Sequence, residues 1–303
     1  MFSTKNNFIP ISHEDIQIAK KLISAQAPKI RQNFLFATQL IESAWTDNCK
    51  ELLEQLEHSE FEDFLSWRVI IDTMCVRESN WSKIEFENLA AMPDWLTRWK
   101  PAIRESTLGK PAPLKRYRAT SANLVHHAYH ISQFESSMDF RLSDFDVIIE
   151  FGGGYGSACR LAYQLGFNGE YTIFDLPPFL LLQEAYLTAL GLNLPTQGHP
   201  KSRLKFVSDL ELLEKPFADR KKVLFLATWS LSESPVSVRR EFQDVLMRSD
   251  ALLIAFQQSF ESVDNQKYFL DIASARTTSK TEVHPISFLK KNFYLMSAKQ
   301  SII

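Results

Sequence analysis

Residues Asp146–Asp175 read DVIIEFGGGYGSACRLAYQLGFNGEYTIFD. An apolar run (Val147, Ile148, Ile149) ends on an acid, Glu150, and breaks into glycines at 152, 153, 154 and 156. A helical pattern follows, then a second apolar run closed by Asp175. Apolar runs closed by glycines and joined through a helical stretch spell a β-α-β unit. Glycines let the backbone pass close to a ligand, and the amides opening the next helix favour electron-rich groups. An acid at the end of the second strand accepts hydrogen bonds from ribose hydroxyls. Together these parts predict a nucleoside-cofactor site.

Glycine spacing selects among cofactors. The dinucleotide fingerprint G-x-G-x-x-G puts its last glycine three places after the second. Counted from Gly152 and Gly154 that place is Ser157; counted from Gly154 and Gly156 it is Cys159. The chain instead reads Glu-x-Gly-x-Gly-x-Gly (Glu150, Gly152, Gly154, Gly156), which resembles motif I of class I methyltransferases. That resemblance implies S-adenosylmethionine (SAM) as cofactor. SAM carries an ammonium and a sulfonium but no pyrophosphate, and a carboxylate such as Glu150 suits its positive charge. The plainer alternative is a strand-turn-helix whose glycines only shape a tight connection.

Working toward the C-terminus, a helix from Gly156 buries Ala158, Leu161, Ala162 and Leu165 before Gly166 stops it. After Asp175, Leu176 and two prolines open a helix that runs to Gly191. Further strands are expected at Leu204–Val207, Val223–Ala227, Ala251–Phe256, Thr281–His284 and Phe293–Ser297. Ser208 and Asp209 close the third strand, where Asp209 would meet an adenine amine. Thr228 and Trp229 close the fourth; Trp229 would wall the cofactor, and Ser230 or Glu233 would orient an acceptor hydroxyl. Ser232, Glu233 and Pro235 equally suit a helix start, with Phe242, Val245 and Leu246 on its inner face.

Toward the N-terminus the pattern is helical. Ser12 caps a helix carrying Ile16, Ala19, Leu22 and Ile23 that Pro28 ends, and a second presents Ile30, Phe34, Ile41 and Trp45. Asp47 and Ser59 are expected to cap two more, reaching Met74. From Met92 to Arg118, prolines and the cations Lys110, Lys115, Arg116 and Arg118 describe a solvated loop, or else a clamp for a phosphate or carboxylate. Ser121 caps a helix on which His126, His127 and His130 are spaced so that pairs share a face. With no H-E-x-x-H pattern and no third ligand in view, no metal is expected. Each histidine is either a packed structural residue or, over the open end of the sheet, a general base.

The fold class expected is α/β: a Rossmann-like class I methyltransferase sheet with helices on both faces, preceded by a mostly helical N-terminal domain. Residues 1–140 would form a cap, dimer contact or substrate cover, and 141–303 the SAM-binding domain. The 303 residues carry a formal charge of −2, which gives no sign of nucleic-acid binding. Cys49, Cys75 and Cys159 lie far apart without a C-x-x-C pair, so neither a disulfide framework nor zinc is expected, and a reducing compartment fits. The N-terminus lacks an apolar signal core and no run is long enough to span a bilayer, so the expected location is the cytoplasm, away from membrane.

The phrases NLVHHAYHISQFE, IIEFGGGYGSACRLAYQLGF, YTIFDLPPFLLLQEAYL and FLATWSLSESP, followed by LLIAFQ and the histidine of EVHP, resemble the bacterial sugar O-methyltransferase family. The resemblance runs from Ser121 to the C-terminus. It implies SAM-dependent methyl transfer to a hydroxyl of a sugar or a sugar-containing small molecule. FDLP also occurs in plant small-molecule O-methyltransferases, which carry a catalytic histidine after the fourth strand; ATWSLSE has none. The base candidates are therefore His127, His126, Glu233 and His284, in that order. Two other classes stay open: a non-catalytic SAM-binding scaffold, and an NAD(P)-dependent oxidoreductase, which the glycine spacing disfavours.

Overall fold

The computed structural model describes residues 8–37, 43–193 and 203–299. Two compact units interleave along the chain. One comprises Met1–Tyr129, Gly153–Leu165 and Leu176–Arg203, the other His130–Gly152, Gly166–Asp175 and Leu204–Ile303.

The first unit holds α1 (His13–Ala37), α2 (Ser43–His58), α3 (Arg68–Thr73), α4 (Asn80–Ala90), α5 (Lys100–Ala102), the opening turns of α6 (Ala122–Met138), α7 (Ser157–Gln164) and α8 (Pro177–Ala189). Ser12 caps α1, its hydroxyl accepting from the Asp15 N–H at 3.1 Å. Pro28, expected to end that helix, lies inside it. A proline there forfeits one backbone hydrogen bond. The stripe Ala19, Ile23 and Ala27 is nonetheless buried, with α1 packed along α8, and this burial carries the helix onward. Ile41 lies outside the described residues. Asp47 falls inside α2 rather than capping a helix. The segment after Ser59 is a 3-10 turn, Phe61–Ser66, set off from α3 by the extended backbone of Trp67. Helix α4 was not read from the sequence; its capping box pairs Ser79 with Ser82 instead of the usual acid. Of the cations singled out above in the Met92–Arg118 stretch, Lys110 pairs with Asp63 at 2.6 Å and Arg116 with Glu87 at 2.5 Å.

A buried ionic knot ties this unit together. Arg160 of α7 meets Glu105 at 2.5 Å and the Tyr186 hydroxyl of α8 at 3.3 Å. Glu105 also accepts from the Ser121 hydroxyl at 2.6 Å, and Ser121 in turn caps α6 by accepting from the Leu124 N–H at 3.1 Å. Charges this deep are tolerated only when paired and hydrogen-bonded.

The second unit is built on a seven-stranded sheet. Its strands are β1 (Val147–Phe151), β2 (Glu170–Phe174), β3 (Leu204–Val207), β4 (Val223–Thr228), β5 (Ala251–Gln257), β8 (Ser279–Pro285) and β9 (Asn292–Lys299). The spatial order is β3-β2-β1-β4-β5-β9-β8. The first five are parallel; β9 runs antiparallel to both β5 and β8. A two-strand ribbon, β6 (Ser259–Phe260) with β7 (Val263–Asp264), and the helices α9 (Glu214–Ala218), α10 (Val236–Glu241), α11 (Gln243–Arg248) and α12 (Asn265–Ala275) complete it. The fold is thus the expected α/β class, a Rossmann-like sheet flanked by helices. The ribbon and α12 were not anticipated.

Side chains alternate across a strand. Val147, Ile149 and Phe151 therefore share one core with Phe225, Ala227, Ile254 and Phe256, into which Phe242, Val245 and Phe269 pack. Phe242 wedges its ring 4.7 Å from both Phe151 and Phe174. Ile148 and Glu150 consequently face the opposite side. No helix among the described residues is long and apolar enough to cross a membrane.

Candidate functional site

Strand order reverses at β1, which pairs with β2 on one side and β4 on the other. Open α/β sheets bind ligands outside the carboxyl ends of their strands at such a switch point. Here the chain leaves β1 through Gly152, whose N–H donates to the Phe174 carbonyl at 2.9 Å. The φ of Gly152 is +72°, and a Cβ added there would lie 2.4 Å from Ser230 Cβ. Ser230, just past β4, donates its hydroxyl to the Phe151 carbonyl. The ends of β1 and β4 are buttoned together so closely that only glycine fits between them. Within the first unit, the Gly154 carbonyl accepts from Gln183 Nε2 at 2.9 Å, and Gly156 takes the N-cap of α7 with φ +94°. Leu176 occupies the N-cap of α8 in extended backbone.

Two acids stand at the switch point. Glu150 is 3% exposed and accepts from the Tyr171 hydroxyl at 2.9 Å. Burial pushes its carboxyl up to about 8; the Tyr171 bond opposes that rise and the charge of Asp175 adds to it. Asp175, half-buried at the end of β2, has its N–H on the Val207 carbonyl at 3.2 Å. One acid is deeply buried and held mostly protonated near neutrality, while the other is half-buried. Ser208 and Asp209 are exposed beyond β3. Asp209 caps the 3-10 turn Leu210–Leu213, accepting from the Glu211 N–H at 2.9 Å.

The turn after β4 is held from several sides. Trp229 adopts φ +65°, a region that costs a non-glycine residue of order 1 kcal/mol and persists only where surroundings enforce it. Its backbone N–H donates to the Ala255 carbonyl at 2.7 Å, and its indole N–H to Asn292 Oδ1 at 2.7 Å. Trp229 was expected to wall the cofactor; its indole N–H is engaged with Asn292 of β9. Glu233 sits in a 3-10 turn with Ser230, and Gln257 Nε2 donates to it at 3.3 Å; burial raises its pKa and that bond opposes the rise. Beneath the turn, the buried guanidinium of Arg239 donates to the Ser234 carbonyl at 2.8 Å, to Asn265 Oδ1 at 2.6 Å and to the Ser232 carbonyl. Nothing in VSVRRE marks Arg239 as buried, so the sequence could not reveal it.

The histidines divide between the units. In the first, His126 Nδ1 lies 2.7 Å from Glu85 Oε1, both groups buried, with the Trp81 ring 5.0 Å from the imidazole. Burial pushes Glu85 up to about 9 and His126 down to about 3. His127 is also pushed down to about 3, by burial and then by its neighbour His126. Both imidazoles are neutral at pH 7 and poor proton acceptors. In the second unit, His284 is half-buried on β8, its ring 5.5 Å from that of Tyr294. His130 Nδ1 bonds the Tyr294 hydroxyl, and the His130 ring stands 5.2 Å from Trp229. The sequence offered His130 as a packed residue or a base, but the register that brings Tyr294 to it is a long-range fact.

No protein-family model and no curated protein matches the chain. Among solved structures it is similar to an rRNA methylase from Streptococcus thermophilus, at 13% identity and TM-score 0.41 over 57% of this chain and 94% of that one. It is also similar to the mitomycin 7-O-methyltransferase MmcR, at 13% and 0.36 over 76% and 75%. A third is the precorrin-6y C5,15-methyltransferase from Geobacter metallireducens GS-15, at 15% and 0.40 over 63% and 95%. Likeness at this level is one of broad architecture and assigns no reaction.

Proposed function

We propose that the chain binds SAM outside the carboxyl ends of β1 and β2 and transfers its methyl group to a hydroxyl of a sugar or sugar-containing small molecule. The observation that carries this reading is the pair of acids at the switch point, Glu150 on β1 and Asp175 at the end of β2, on either side of the tight glycine turn that Ser230 packs against. Asp175 accepts from ribose hydroxyls, Glu150 answers the cofactor's positive charge, and Ser208 and Asp209 stand at the adenine end. Bound there, SAM supplies an electrophilic methyl group. The protein's own part is to hold the acceptor oxygen in line with that group and to receive its proton.

Glu233 and His284 lead as proton acceptors, since both belong to the unit that carries Gly152 and Asp175. His126 and His127 follow, because burial makes them weak bases. The three free cysteines suit a reducing cytoplasm. A thermal-shift comparison tests the cofactor: a ligand at 100 times its dissociation constant adds about 2.7 kcal/mol of stability. S-adenosylhomocysteine (SAH) should raise Tm and NADP should not. Transfer of labelled methyl from SAM to a monosaccharide panel then tests the acceptor. A shift with NADP alone would replace this reading by the oxidoreductase one.

A further inference from the structure

The sheet is divided by what its two halves carry. Glu150, Gly152, Asp175, Ser208 and Asp209 all lie on β1, β2 and β3 or at their ends. A different set occupies β4, β5, β9 and β8. Register places Thr228 opposite Ala255, Ala255 opposite Tyr294, and Tyr294 opposite His284, so these residues form one rung across four strands. Their side chains share the face that Glu150 occupies, opposite the Phe151–Phe225–Phe256 core. His130 joins them from α6, bonded to the Tyr294 hydroxyl, with its ring 5.4 Å from Tyr294 and 5.2 Å from Trp229.

Exposure within this group is graded. His130 is 1% and Tyr294 2% exposed, whereas Trp229 and His284 are half-buried. A buried polar pair thus backs two rings that reach solvent. Apolar residues would fill the same space without the cost of desolvating an imidazole and a phenol. What the pair adds is fixed placement: Trp229 is held by His130, by Asn292 and by its own strained backbone. A rigid, half-exposed indole presents a preorganised apolar face at little entropic cost. The His284 side chain makes no hydrogen bond among the described residues, so its ring nitrogens remain to meet a hydroxyl.

We propose that Trp229 is an acceptor-side wall rather than a cofactor contact, that it takes the C–H face of a saturated hydroxylated ring while His284 bonds one of the ring hydroxyls, and that His130 and Tyr294 are its positioning residues. Electropositive C–H groups suit the electron-rich face of an indole. This inference rests on the SAM site proposed above.

The test uses the full-length protein labelled with 15N. The Trp229 indole N–H signal is assigned by its loss in Trp229→Phe, and SAH, methyl glucoside and phenol are added as probes. SAH should move the Gly152 amide and leave the Trp229 indole in place. Methyl glucoside added next should move the indole. Tyr294→Phe, which keeps the ring, and His130→Asn should each weaken that response roughly tenfold while SAH affinity stays within about twofold. Should His130→Asn fail to fold, Tyr294→Phe carries the test. An indole that moves with SAH as far as the Gly152 amide does overturns the proposal. So does one that answers phenol but not the glycoside, or neither. A protein in which SAH moves no signal at all refutes the SAM site itself, and that result is distinct from the others.

Discussion

A carboxyl that burial holds near pKa 8 beside a half-buried one makes Glu150 the most informative single residue. At pH 7 it is mostly protonated, and a cationic ligand near it favours the carboxylate. Binding of SAM should therefore release up to roughly one proton at pH 7. Calorimetry in buffers of different ionisation enthalpy reads that number directly, and Glu150→Gln should abolish it. The same shift has a stability consequence. A folded-state pKa of about 8 against an ordinary value of 4.5 means the contribution is full below the lower value and lost as pH rises through the upper. Thermal unfolding should accordingly show a fall in Tm between about pH 4.5 and 8 that Glu150→Gln makes shallower by a few degrees. Gly152→Ala tests the glycine turn itself. With φ +72° and Ser230 Cβ only 2.4 Å from the added atom, the β1 and β4 ends must part, and SAH affinity should fall tenfold or more by calorimetry. Affinity unchanged by that substitution would mean no ligand approaches this backbone.

Strands were the most legible elements, for a physical reason. The apolar runs of β1 and β2 are closed by a glycine and an acid, and β3 was expected at the residues where it stands. Helices were read less well where tertiary burial overrides local chemistry, as at Pro28, or where the cap is unusual, as at Ser79. The buried pair Arg160–Glu105 was invisible because neither residue stands in an apolar pattern that marks its depth. Its removal gives a prediction for this scale. Arg160→Met leaves Glu105 buried without its charge partner and should cost about 3–5 kcal/mol in urea unfolding. A loss under about 1 kcal/mol would show that the knot is no support for the α7–α8 region.

Across the whole molecule, the glycine stretch and its flanking acids announced where a cofactor would bind, because β-α-β chemistry is local. The pairing of His130 with Tyr294 and of His126 with Glu85 was not announced, because these residues meet only through long-range contacts. Tyr294 lies 164 residues from His130, and Glu85 lies 41 from His126. No spacing rule reaches that far. Nor could such a rule show that the Trp229 indole bonds Asn292, 63 residues away. It also leaves unread the burial that lowers the pKa of His126 and His127. What organises both sides is the switch point between β2, β1 and β4. The measurement that bears on it most directly is titration calorimetry of folded protein with SAH, beside the Asp175→Ala variant. The account predicts single-site heat for the wild-type chain and an affinity lower by roughly tenfold or more in the variant, as loss of a charge-assisted hydrogen bond entails. Absence of heat with the wild-type protein, or equal affinity in both, would contradict it.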